Sequence, residues 1–88
     1  MVEQHIKRIA YAIGFDITEP DALDFLMSLV NAGWLTLRDA GVRSEILYDW
    51  SDMLPALIHF VTDNLNMEPG EFKRSPMFIL EVERLRLK

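Results

Sequence analysis

The first part of the chain has an apolar residue at every third or fourth position. Four aliphatic side chains fall on one side of a helix: Val2, Ile6, Ile9 and Ile13. Charged and polar residues stand between them, which is typical of an amphipathic helix with a narrow apolar face. Gly14 and the apolar Phe15 come next, and this pair is a common helix ending. The pattern therefore predicts a first helix that stops at Gly14.

A second helix is predicted over residues 19–32. Thr18 can cap it, Pro20 fits into its first turn, and Gly33 follows it as a stop signal. Only a narrow strip of this helix is polar, and it consists of Asp21, Asp24, Ser28 and Asn31. A helix with so much apolar surface is either the centre of the core or is covered by another chain.

A β-hairpin is predicted over residues 34–50. Residues 34–38 and 45–50 are rich in β-forming residues and alternate between apolar and polar positions. The segment 39–41 between them has turn chemistry, because Gly41 can adopt the left-handed conformation that a short hairpin loop needs. One face of the hairpin would present four large side chains together: Trp34, Ile46, Tyr48 and Trp50.

Two more helices are predicted after the hairpin. The first begins at Ser51 or Asp52 and is followed by a turn over residues 67–70. Ser75 and Pro76 can start a last helix that runs to Lys88, although apolar alternation over residues 80–87 leaves a third strand as the alternative. The predicted fold is α+β, mainly α: a single domain over residues 1–88 with the order helix–helix–β-hairpin–helix–helix.

Composition adds the expectation of a partner. Half of the 88 residues are hydrophobic, the chain has no cysteine, and its net charge is −5. These values exclude a disulfide framework and a disordered chain. A domain of this size buries only about 60–65% of its unfolded surface, so some apolar side chains are left for a partner to cover. We therefore expect a homodimer or a contact with another protein, and the hairpin face is the first candidate interface.

The order of elements over residues 19–66 resembles the second half of a winged-helix domain, in which a recognition helix leads into a two-stranded wing. The resemblance concerns layout alone, without a residue motif. It implies nucleic-acid binding or a regulatory role, with Arg38, Arg43, Lys73 and Arg74 as candidate contacts. The acidic strip of the second helix makes this the less favoured hypothesis, because carboxylates repel phosphates. The acidic segment 16–71 leaves a third possibility, a protein that imitates a polyanion.

The sequence contains no pattern that favours catalysis. None of the serines stands in a Gly-x-Ser-x-Gly elbow, and the four glycines do not form a phosphate-binding loop. His59 and Asp63 stand four residues apart on a predicted helix, but two ligands do not make a metal site. No apolar run approaches the roughly 18 residues of a membrane span, and charged residues interrupt the N-terminal segment. We predict a cytoplasmic, non-catalytic interaction or assembly module without cofactor, metal or membrane contact.

Overall fold

The computed structural model describes residues 3–66 and 71–88 of the chain. All regular structure within these two ranges is helical, so the predicted α+β fold class is wrong. Five helices follow one another: α1 (Glu3–Ile13), α2 (Pro20–Asp39), α3 (Ser44–Leu47), α4 (Trp50–Asn64) and α5 (Pro76–Arg86). The predicted turn over residues 67–70 lies outside the described residues.

The β-hairpin predicted over residues 34–50 is absent from the described part of the chain. Its first strand is the second half of α2, and its second strand is replaced by α3 and the start of α4. The segment 39–41 ends α2 instead of turning a hairpin, because the Gly41 N–H donates to the Arg38 carbonyl and the Val42 N–H to the Leu37 carbonyl. Gly41 has the positive φ of 96° that this helix ending requires. Without a two-stranded wing, the winged-helix-like layout is also wrong.

Gly33 does not end α2, because it lies buried where this helix passes α4. A Cβ atom added at Gly33 would stand 2.9 Å from Cδ1 of Phe60 and 3.1 Å from Cδ2 of Leu57. The absence of a side chain at this position lets the two helices approach closely. A signal that predicts a helix end in the sequence therefore marks a helix crossing in the structure.

Local signals predicted some helix ends correctly and others wrongly. α1 ends at Gly14 as predicted, with a hydrogen bond of 2.9 Å from the Phe15 N–H to the Ala10 carbonyl. The last segment forms a helix rather than a strand, and the Ser75 hydroxyl caps it by accepting the Phe78 N–H at 3.2 Å.

The starts of α2 and α4 differ from the prediction. Glu19 occupies the N-cap position of α2 without a side-chain hydrogen bond, whereas the N–H of Thr18 donates to Asp16 at 2.9 Å. Asp49 caps α4, and its carboxylate accepts the Asp52 N–H at 3.2 Å. Both caps lie one to three residues from the predicted positions, and of the two only Asp49 caps its helix with its side chain.

The core is built around α4, which packs against all four other helices. The other long helices each contribute one apolar face, and α1 buries Ile6 and Ile9 of its predicted narrow face. Val2, which was predicted on the same face, lies outside the described residues. The largest fully buried apolar side chains are Phe60, Phe78, Ile6, Ile9, Leu26, Leu37, Met53, Leu57 and Leu85.

Candidate protein interface

The segment that leads into α5 is held by the last turn of α4. Asn64 is fully buried, and its amide forms two hydrogen bonds with the backbone of Lys73. Its Nδ2 donates to the Lys73 carbonyl at 2.9 Å, and its Oδ1 accepts the Lys73 N–H at 2.7 Å. The neighbouring Asp63 carboxylate accepts the N–H of Ser75 at 3.1 Å. These bonds fix the position at which α5 begins.

The other end of α5 is attached to the start of α4. The ammonium group of Lys88 donates to the Asp52 carboxylate at 2.7 Å, and the guanidinium of Arg84 donates to the Asp52 carbonyl at 3.0 Å. The hydrogen bond from Lys88 lowers the pKa of the Asp52 carboxyl below its ordinary value. Since both ends of α5 are attached to α4, its outer side is presented in a fixed orientation.

The outer side of α5 is unusually apolar. Only Phe78 and Leu85 of this helix are buried. Large hydrophobic side chains with at least 45% exposure are otherwise rare in the described residues, yet residues 72–88 contain five of them. Four belong to α5 and its C-terminal end and are 50–84% exposed; we call them the α5 surface: Met77, Ile79, Leu80 and Leu87.

A groove of about 300 Å³ runs between α5 and the last turns of α2. Phe78, Ile79 and Val82 give it an apolar lining, and its charged lining residues are Arg74, Glu83 and Arg86. Arg86 also pairs with Glu83 at 2.9 Å. This groove, called the α5 groove below, is lined by apolar side chains and two arginines, of which only Arg74 forms no ion pair with a described residue.

A second cavity, more open and of about 460 Å³, lies between α1 and the start of α2. The polar groups around it are engaged with one another: Glu3 pairs with Lys7 at 3.8 Å, and Asp16 accepts the Thr18 N–H. That backbone hydrogen bond lowers the pKa of the Asp16 carboxyl. The lining includes carboxylates, a lysine and a tyrosine but no histidine, and its Glu3 and Lys7 side chains are paired with each other.

The four residues predicted as a hairpin interface do not share one exposed face. The indole N–H of Trp34 donates to the Leu47 carbonyl at 2.9 Å, and its ring lies 6.0 Å from that of Tyr48. Trp50 is instead stacked on His5 of α1, with 4.5 Å between the ring centroids. Ile46 packs against the core, and Tyr48 is the one member that is largely exposed. A partner contact at these residues stays a prediction, without the strand face that was expected to unite them.

The four basic residues considered for nucleic-acid contact fall into two groups. Arg38 bonds to Asp39 at 3.2 Å and lies 6.0 Å from the Trp34 ring centroid, and Arg43 pairs with Glu45 at 3.8 Å. Lys73 and Arg74 form no ion pair with any described residue and precede α5. The structure therefore places two of these basic residues beside carboxylates and the other two in the segment just before α5.

The described residues include no cluster of three or more potential metal ligands. Across residues 3–66 and 71–88, no helix combines the length and the hydropathy needed to cross a bilayer. Comparisons of the chain with protein-family models, with curated proteins and with solved structures found no match. Function must therefore be inferred from the residues and their geometry.

Sequence reasoning missed the α5 surface, although a signal for it was present. Apolar alternation over residues 80–83 and 84–87 is out of phase, which counts against one continuous strand and favours a helix. In the structure, this out-of-phase pattern corresponds to a helix that has apolar residues on several of its sides. The sequence does not show which of these sides α4 covers.

Proposed function

We propose that this protein is a non-catalytic assembly module that associates with itself through the α5 surface. The observation that supports it is the concentration of exposed large hydrophobic side chains at Met77, Ile79, Leu80 and Leu87. Contiguous apolar patches on small proteins commonly mark interaction sites. The cytoplasmic location expected from the sequence is part of this proposal.

The attachment of α5 at both ends strengthens the proposal. The Asn64 amide fixes its beginning, and Lys88 and Arg84 join its end to Asp52. A surface that is already ordered loses little conformational entropy when a partner binds, so more of the burial energy remains as affinity. The outer side of α5 therefore has the two properties of an interface, apolar area and preorganisation.

Molar mass as a function of concentration tests the proposal. Sedimentation equilibrium should give the chain mass of 10.2 kDa at high dilution and larger values as the concentration rises. Leu80→Glu places a charge at a side chain that is 63% exposed, so the fold should persist while association is lost. Circular dichroism checks that the helices are intact.

Tyr11→Ser is the matched control, because Tyr11 is 91% exposed but lies on α1. This variant should associate like the wild type, as should Tyr48→Ser at the aromatic site predicted from the sequence. A wild type that stays at the chain mass at every concentration would contradict the proposal. Unchanged association of Leu80→Glu would show that the interface lies elsewhere.

A further inference from the structure

The second surface in this association can be inferred from charge and side-chain type. We infer that the α5 surface and groove of one copy bind the first turns of α2 on another copy, so that copies join head to tail. This inference rests on the proposed self-association and adds its partner surface. The α2 side of the contact, called the Phe25 stripe, consists of Asp21, Asp24, Phe25 and Ser28, all exposed at the spacing of one helix face.

The charges of the two surfaces are opposite. Residues 9–37 contain four carboxylates and no lysine or arginine, and none of the four forms an ion pair with a described residue. Residues 72–88 contain five basic and two acidic residues, and of the basic ones Lys73 and Arg74 form no ion pair with a described residue. Two α5 surfaces facing each other would bring like charges together, whereas the Phe25 stripe offers the opposite sign. Charge therefore favours a contact between different parts of two copies.

The side-chain types of the two surfaces are also compatible. Phe25 is 41% exposed and stands beside Asp21 and Asp24 on the same face of α2. The α5 groove has apolar lining residues together with Arg74 and the Arg86–Glu83 pair. An aromatic side chain in an apolar groove, with ion pairs around it, is a common arrangement at protein interfaces.

The two surfaces lie at different ends of α2. Phe25 is 11 and 15 residues from Thr36 and Ala40, which border the α5 groove, a distance of about 20 Å at ~1.5 Å per residue. The molecule is 37 Å long, so both surfaces can be occupied at once by different neighbours. A head-to-tail contact uses the α5 surface of one copy and the Phe25 stripe of the other. Each copy in such a dimer still has one unoccupied surface, so further copies add to it.

A mixing experiment separates this arrangement from symmetric pairing. Leu80→Glu blocks the α5 surface and leaves the Phe25 stripe intact, whereas Phe25→Ser does the reverse. Each variant alone should sediment at the chain mass. An equimolar mixture should form a heterodimer of twice that mass that does not grow further, because one complementary pair of surfaces remains. Wild-type protein should exceed the dimer mass as its concentration rises.

Phe25 lies against Phe15, with 6.2 Å between the ring centroids, so Phe25→Ser also removes a contact within one chain. A second variant therefore tests the same surface without removing that contact. Asp24→Lys changes only an exposed charge, and we expect it to weaken association at least tenfold. Wild-type association should also weaken as sodium chloride is raised, because salt screens the opposite charges.

Different failures have different meanings. A mixture that stays at the chain mass while wild-type protein associates, or a wild type that stops at the dimer, would overturn the head-to-tail contact and leave self-association standing. Association of Asp24→Lys that equals the wild type would also overturn it. A wild type that never associates would overturn both proposals.

Discussion

Helices α4 and α5 lie side by side but have different surroundings. α4 contacts every other helix and buries six of its fifteen residues, whereas α5 has α4 as its main neighbour and buries two of eleven. Both helices are rich in large apolar side chains. The difference shows that the apolar residues of α4 mostly contribute to the core, while those on the outer side of α5 are exposed.

The largest expected effect is the difference in unfolding free energy between a leucine-to-alanine substitution in α4 and the same substitution in α5. Leu57→Ala removes a fully buried side chain from α4 and should lower the free energy of unfolding by about 3 kcal/mol. Leu80→Ala removes an exposed side chain from α5 and should change it by less than about 0.5 kcal/mol. Urea unfolding at a protein concentration low enough to avoid association measures both.

An internal control for this pair is Leu85→Ala, because Leu85 is the fully buried leucine of α5. It should resemble Leu57→Ala rather than Leu80→Ala. Equal losses for Leu57→Ala and Leu80→Ala would mean that the outer side of α5 is covered within one chain, and the contrast between the helices would disappear.

The junction of the two helices provides the next largest effect. Asn64→Ala removes a buried amide that bonds the backbone of Lys73 on both its N–H and its carbonyl. Leaving such groups without partners costs about 1–3 kcal/mol, so we expect a loss of about 2–3 kcal/mol. The exposed Asn66 is the matched control, and Asn66→Ala should have little effect on urea unfolding. A similar small change for Asn64→Ala would show that α5 does not need this attachment.

A smaller loss is expected where α2 crosses α4. Gly33→Val puts a side chain within 2.9–3.1 Å of Phe60 and Leu57, and overpacking a filled core costs about 1–3 kcal/mol. We expect about 2 kcal/mol by urea unfolding. Asn31→Val places the same side chain on an exposed position of α2 and should be nearly neutral. A neutral Gly33→Val would show that α4 can move away, contrary to its place at the centre of the core.

Gly33 illustrates which features of the fold the sequence could predict and which it could not. Two helix ends that depend on a few adjacent residues were predicted correctly, Gly14 after α1 and the Ser75 cap of α5, whereas the caps of α2 and α4 were displaced by one to three residues. The role of Gly33 depends on Phe60, 27 residues further along the chain. A prediction from local pattern contains no information about that contact.

Residues 34–38 were predicted as a strand because their types favour one. In the structure they belong to α2, and the hydroxyl of Thr36 donates to the Ala32 carbonyl at 2.8 Å, a bond that forms within a helix. Leu37 is fully buried in the core. Packing therefore overrides the weak β-propensity of this segment. The candidate site was missed for a related reason, because the burial of one side of α5 depends on α4.

The smallest expected effect concerns the ion pair that joins the end of α5 to the start of α4. The Lys88 hydrogen bond lowers the pKa of Asp52 in the folded protein below the ordinary value of 3.8. The carboxylate therefore stabilises the fold above pH 3.8, and this contribution is lost as the pH falls through the lowered pKa. Asp52→Asn should unfold at a lower urea concentration than the wild type at pH 7, and the difference should shrink below pH 3.8. Lys88→Met should show the same pH dependence and add nothing to Asp52→Asn, whereas a difference that is constant with pH would mean that this pair does not help to hold α5 against α4.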